Sequence, residues 1–158
     1  PDNGAKLYRR SMYTYWKRSA PMPSMMAFDA PTREKCVVQR PRTNTPMQAL
    51  VTMNDVQFVE AARPLAQRLI LAQTDFDSRL DLGLMLCTAH PATPLAREVM
   101  LETYDAQLQV FQADPEAALA LLATGESGRD ESLDPAQHAT WTVLASMILN
   151  LDETLTRE

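Results

Sequence analysis

One device recurs four times along this chain: a Thr or Asp followed at once by Pro, at Thr45-Pro46, Thr93-Pro94, Asp114-Pro115 and Asp134-Pro135. The side-chain oxygen of the first residue accepts hydrogen bonds from the orphan N–H groups of a helix's first turn. Pro at the first helical position loses nothing by lacking an N–H. Four helix starts are therefore written into the sequence. Thr45 with Gln48, and Asp134 with Gln137, also have the spacing of a capping box, in which the Gln reaches back to the cap's own N–H. Asn54 or Asp55, and Asp75 or Asp77, supply two further starts.

The apolar residues between these starts keep a helical period. Val59, Ala62, Ala66 and Leu69 share one face, as do Leu101, Tyr104, Leu108 and Phe111. Trp141, Leu144, Ile148, Leu151 and Leu155 extend a stripe that predicts a long final helix. Pro64 is expected to kink or split the second helix near Arg63, and Gly125 to follow the end of a helix over 117–124. With only four glycines against many Ala, Leu and Met, helix is favoured over sheet. The fold class is all-α: an irregular bundle of five to six helices behind an N-terminal proline-rich wrap. At 158 residues the chain suits one domain overall.

Residues 1–42 differ from the body over 43–158. Pro21, Pro23, Pro31 and Pro41 break periodicity there, so after a short helix over Leu7 to Lys17 the segment is expected to be an ordered but irregular wrap. Met12, Tyr13, Tyr15, Trp16, Met22, Met25, Met26 and Phe28 are too apolar for a free tail and are expected to pack on the body. This stretch holds nine basic residues against three acidic ones, whereas the chain as a whole carries a net charge of −5. An acidic body is a poor companion for a nucleic-acid interface, where phosphate contacts dominate affinity. A basic arm folded on it neutralises it instead.

No apolar run approaches the roughly 18–20 residues of a membrane span, and the best candidate, Trp141 to Leu151, is short and interrupted by Thr142, Ser146 and Asn150. The opening Pro1-Asp2-Asn3-Gly4, without Met or an apolar signal segment, reads as a piece of something longer. Cys36 and Cys87 are too few for a disulfide framework. Two buried thiols, one bridge in an exported parent, or a reactive thiol all remain open.

The inventory for chemistry is thin. Cys87-x-x-His90 has ligand-like spacing, but a transition-metal site needs three or four donors, and only Cys36 and His138 remain; no metal site is expected. A Cys–His nucleophile lacks an oxyanion loop and an orienting acid, and no Gly-rich phosphate loop occurs. No CxxCH motif is present, so covalent haem c is expected only in a neighbouring module, and no cofactor in this chain. The one dense stretch runs from Phe28 to Leu50. There Arg33, Arg40 and Arg42, with Asp29, Thr43, Asn44 and Thr45, converge on a helix N-terminus that favours an anion, and Trp16 offers an aromatic face beside them. The plainer reading is that the arginines pair with acids of the body while Asn44 and Thr45 only cap.

The runs Arg9-Arg10-Ser11-Met12-Tyr13-Thr14-Tyr15-Trp16-Lys17-Arg18, Phe28-Asp29-Ala30-Pro31 with Arg33-Glu34 and Cys36, Arg42-Thr43-Asn44-Thr45-Pro46-Met47-Gln48-Ala49-Leu50 and Asn54-Asp55-x-Gln57-Phe58-Val59-Glu60-Ala61-Ala62 closely resemble the planctomycete-specific C-terminal domain of unknown function. The closing Leu149-Asn150-Leu151-Asp152-Glu153 and Thr156-Arg157-Glu158 resemble that family's ending. The resemblance spans essentially the whole chain. It implies a C-terminal position in large exported proteins, behind a planctomycete-type cytochrome c module and a second uncharacterised domain, sometimes with lectin-like modules. An extracytoplasmic, periplasm-like location follows from it. No catalytic residues are established for the family. The chain departs from the pattern at Ala89-His90-Pro91, where Gly-Arg precedes the Pro, and at Pro64, where a helix former is usual.

Three functions fit these readings. One is a structural or docking module for a neighbouring redox or carbohydrate-active domain of the same polypeptide. Another is a binding module for an anionic polysaccharide or acidic partner through Trp16, Arg33, Arg40, Arg42 and Asn44. The third is part of an enzyme site completed upstream, with Asp29, Glu34 or Arg42 in a shared cleft.

Overall fold

In the computed structural model, which describes residues 4, 11–17, 19–32, 34–39 and 43–156, every Thr/Asp-Pro pair starts a helix. Thr93, Asp114 and Asp134 each accept from the backbone N–H three residues on, with Pro following as the first helical residue. Asp55 and Asp75 cap the two helices between, accepting from the Gln57 and Ser78 N–H groups at 2.9 Å. The order among the described residues is α1 (Pro23–Ala27), α2 (Pro46–Asn54), α3 (Val56–Ala72), α4 (Phe76–Thr88), α5 (Pro94–Ala113), α6 (Pro115–Leu122), α7 (Pro135–Leu149) and α8 (Asp152–Leu155), with no strand. The fold is all-α, as the spacing predicts.

The chain forms two compact units, Pro1–Val51 and Thr52–Glu158. In the first, a single 3-10 turn at Ser11–Tyr13 stands within the segment expected to be helical. Residues 14–17 are not helical, since Thr14, Tyr15 and Trp16 are β-branched or aromatic and lose side-chain freedom in a helix; residues 7–10 lie outside those described. Among its described residues the wrap holds an α-helix that the prolines obscured, α1, with Pro23 at its first position. Past its end Asp29 takes φ 53°, in the left-handed region that short polar side chains tolerate.

The second unit is organised around α7. His138, Ala139, Thr140, Trp141, Thr142, Leu144, Ala145 and Ile148 are all buried there, and α3, α4, α5 and α6 each pack against this helix. Ala62, Ala66 and Leu69 of α3, Leu80 and Leu84 of α4, and Met100 of α5 meet Trp141, Leu144, Ala145 and Ile148 in the main core. A satellite core joins Phe111, Ala118, Leu122 and Ala139. Each fully buried Leu or Ile here contributes about 1.5–3 kcal/mol. Gly83 allows the close approach of α4, because a β-carbon there would already stand 3.1 Å from both Ile148 Cδ1 and Leu69 Cδ1. Phe76, Tyr104 and Trp141 form a tilted aromatic trio with centroids 5.3–5.7 Å apart.

One expectation is corrected and one is narrowed. The stripe from Trp141 to Leu155 does not lie on one helix: α7 ends at Leu149, Leu151 is extended, and α8 starts anew at Asp152. The Thr154 hydroxyl donates to the Ile148 carbonyl at 2.8 Å, beside the Leu151 N–H at 3.3 Å, and the Thr52 hydroxyl donates to Asn150 Oδ1 at 2.5 Å, so the carbonyls of the last turn keep partners without a continued helix. Of the two outcomes expected at Pro64, a kink or a split, the split does not occur, since α3 runs unbroken from Val56 to Ala72.

Candidate functional site

The predicted polar segment is partly assembled within the first unit. Gln48, buried on α2, completes the capping box: its Oε1 accepts from the Thr45 N–H at 3.0 Å, while its own N–H donates to Thr45 Oγ1 at 3.3 Å. The Gln48 Nε2 then donates to Thr43 Oγ1 at 3.1 Å, and the Thr43 hydroxyl donates to the Asp29 carboxylate. Asp29, Thr43, Gln48 and Thr45 thus form one relay that fastens the turn after α1 to the start of α2. Trp16 is half-buried and Asn44 exposed. Arg33, Arg40 and Arg42 lie outside the described residues. In this relay the Asp29 carboxylate is itself an anion tied to the α2 N-terminus, where the helix dipole favours negative charge.

A second polar constellation, in the other unit, escaped the sequence. Glu60, Arg63 and Gln67 recur at i, i+3 and i+7 on α3 and hold the connection over 123–134 between α6 and α7. Arg63 is 3% exposed; its Nη1 donates to the Leu122 carbonyl at 2.5 Å and the Thr124 carbonyl at 3.1 Å, and its Nη2 to the Ser127 carbonyl and hydroxyl, both at 2.5 Å. Glu60, 4% exposed, accepts from the Glu126 and Ser127 N–H groups at 3.0 and 2.6 Å and stands 3.8 Å from Arg63. Gln67 Oε1 accepts from the Asp130 N–H at 3.3 Å. A buried charge survives only if paired and hydrogen-bonded, and this pair is satisfied largely by backbone. The arrangement caps α6: a cation meets the last carbonyls, where the dipole is negative.

Arg79 repeats the solution at the end of α3. Its Nε donates to the Gln73 carbonyl at 2.8 Å, and its guanidinium carbon lies 5.8 Å from the centroid of the Trp141 ring, within cation–π range. Below the Glu60–Arg63 pair, His138 is fully buried in the first turns of α7, and its Nε2 stands 3.4 Å from the Arg63 carbonyl. With a carbonyl as partner, Nε2 carries the proton; Nδ1 is buried without a protein partner. Burial, and then the Arg63 and Arg129 guanidinium charges, hold the ring's pKa below the ordinary 6.5, against the opposing pull of the Arg63 carbonyl and Asp130.

On the surface of this unit Asp77 and Asp81 of α4 grip Arg97 of α5. Arg97 Nη1 reaches Asp77 at 2.5 Å and Nη2 reaches both Asp81 oxygens at 2.9 and 3.1 Å. The Ala92 N–H also donates to Asp81 at 2.9 Å, and this bond, ahead of Arg97, lowers the Asp81 pKa. An open groove of 580 Å³ lined by Asp77, Ala92, Pro94, Arg97, Glu98 and Leu101 runs beside the clamp. Cys36 is exposed and Cys87 half-buried, both as free thiols, so the expectation of two buried thiols fails for Cys36. Among the described residues no three His, Cys, Asp or Glu side chains gather as metal ligands, and no helix is long and apolar enough to cross a membrane.

The arginines that sequence reasoning selected are those rich in local context, whereas those the structure uses in its interior, Arg63 and Arg79, sit among ordinary helical residues. The available signal was Pro64 between Glu60 and Gln67, an unusual neighbour for a polar face meant only for water. No curated protein and no solved structure matches the chain. A family model described as PSD1, protein of unknown function (DUF1553), matches residues 1–104. That match takes in the Asp29–Thr43–Gln48 relay and the Glu60–Arg63–Gln67 face together. Because it spans more than half of the 158 residues, the chain belongs to the PSD1 (DUF1553) family of proteins of unknown function.

Proposed function

We propose that this chain is a structural docking module, and that its partner is a neighbouring redox or carbohydrate-active domain of the same, larger polypeptide. The observation that carries the reading is the outer face of α5. In this 20-residue helix only Met100 and Phe111 are buried. Leu95, Val99, Ala106 and Val110 share one face at helical spacing, and Leu95 is 70%, Val99 46% and Val110 52% exposed. Meanwhile the buried cations Arg63 and Arg79 are committed to helix ends, which suits a scaffold. The resemblance of the motifs to a planctomycete-type C-terminal domain supports an exported, extracytoplasmic parent with a cytochrome c module upstream.

A tethered partner needs little intrinsic affinity, because a short linker supplies an effective concentration of about 1 mM. The chain mixed with the separately produced upstream part of its polypeptide is therefore expected to associate with a Kd of about 0.1 mM or tighter. Leu95→Glu/Val99→Glu/Val110→Glu should weaken this at least about tenfold while leaving the fold intact, since an apolar interface centre carries most of the energy. No association, or equal association of the variant, overturns the reading. Salt-dependent retention on a sulfated polysaccharide, lost in Arg40→Ala/Arg42→Ala, would instead favour recognition of an anionic glycan.

A further inference from the structure

The connection over 123–134 has no helix of its own, yet three side chains of one α3 face hold it down. Such a segment opens more cheaply than the packed helices around it, because it hangs on a handful of hydrogen bonds rather than on buried apolar area. Directly in contact with its anchor is His138, whose Nε2 meets the Arg63 carbonyl at 3.4 Å. The charged groups around this ring are the Arg63 guanidinium from α3 and, from the connection itself, the Arg129 guanidinium and the Asp130 carboxylate. The α5 and α6 side chains in the adjoining core, Phe111, Ala118 and Leu122, are apolar. On α4, Arg79 lies over the Trp141 ring.

An imidazolium at this place meets the Arg129 guanidinium and the Arg63 guanidinium, the latter paired with Glu60, against the Asp130 carboxylate; it sits in the first turns of α7 where the helix dipole is also positive, and has a buried Nδ1 with no acceptor. We propose that residues 123–134 form an acid-released strap: protonation of His138 frees them from α3 while the main core around α7 stays folded. The proton goes to Nδ1, and water reaching the opened strap solvates the new N–H. Opening unfastens Ser127 and Asp130 from Glu60, Arg63 and Gln67 and leaves the α6 end uncapped.

The sign is fixed by where the proton binds first. The ring in the open form titrates near its ordinary 6.5 and the closed form only below that, so as pH falls below about 6.5 the open form gains protons and population. Amide exchange of the full chain, corrected for intrinsic rates, tests this. Protection at the Ser127 and Asp130 N–H groups should fall about tenfold between about pH 7.5 and about pH 5, while that of Leu144 and Ile148 holds. His138→Gln keeps a donor toward the Arg63 carbonyl and cannot titrate, so its strap should stay protected at both pH values. Protection independent of pH, or an equal fall in H138Q, would overturn the proposal.

Discussion

Gly125 faces the Glu60 side chain so closely that a β-carbon on it would stand 2.6 Å from Glu60 Cγ and closer still to the carboxylate. Two independent reasons exclude a larger residue: φ is 91°, and the carboxylate cannot retreat because it holds the Glu126 and Ser127 N–H groups. Gly125→Ala is expected to lower stability by about 2–3 kcal/mol in denaturant unfolding, combining backbone strain with a disturbed buried pair. A loss within the noise of a surface substitution, about 0.5 kcal/mol, would show that the pair has room to move.

Arg63 is the harder test of the same network. Arg63→Met keeps most of the volume but leaves the Glu60 charge buried and the carbonyls of Leu122, Thr124 and Ser127 without this donor, so a loss of about 3–5 kcal/mol is expected. Glu60→Gln/Arg63→Met removes both charges and should recover part of it. If the double variant is as unstable as the sum of the singles, the two side chains are not coupled.

Ala89 offers the opposite sign. It ends α4 in the left-handed region, φ 64°, while its N–H donates to the Met85 carbonyl. A β-carbon there costs about 1–2 kcal/mol that glycine avoids, offset in part by glycine's greater freedom when unfolded. Ala89→Gly should raise stability by about 0.5–1 kcal/mol and the melting temperature by a few degrees. A lower melting temperature would mean that this backbone is not strained.

The clamp of Asp81 on Ala92 and Arg97 predicts an acid limb of the stability curve. The folded carboxyl lies below its ordinary 3.8, so its contribution is fully present above that value and is lost as pH falls through the folded value. Because the groups are partly solvated, the effect is modest. Asp81→Asn should be somewhat less stable at neutral pH and should lose less between about pH 4 and about pH 2 than the unmodified chain. Parallel curves for the two would rule the clamp out as a source of that limb.

Thiol chemistry separates the cysteines. Cys36 is exposed, whereas burial raises the Cys87 pKa above the ordinary 9.0 and so suppresses its thiolate. A disulfide reagent should label one thiol quickly and the other slowly, and Cys36→Ser should abolish the fast phase. A single fast phase accounting for both thiols would contradict this burial.

The starts of the long helices were readable because a cap is local chemistry: Thr93 and Asp134 each need only the next few residues to do their work. The end of α7 was not, because the Trp141–Leu155 stripe looks the same whether or not Asn150 and Leu151 interrupt it, and one side-chain bond at the break comes from Thr52, almost a hundred residues away. Of the candidate site, the part that coincides with a cap, Thr43 to Gln48, was legible, whereas the bond from Thr43 to Asp29 was not, because it joins residues fourteen positions apart. Glu60, Arg63, Gln67 and His138 were invisible for a different reason. Polar residues on one helical face ordinarily meet water, and only the unforeseen path of the 123–134 connection turns that face inward.

The placement of α7 bears on how the chain folds as it is synthesised. The helix on which α3, α4, α5 and α6 all rest is made after every one of them. Until residues 135–149 have emerged, Ala62, Ala66, Leu69, Leu80 and Leu84 lack the Trp141, Leu144, Ala145 and Ile148 side chains that complete their cluster. A ribosome-bound intermediate would therefore show apolar faces to chaperones until α7 has been made, and would collapse to its native form only once that helix has emerged.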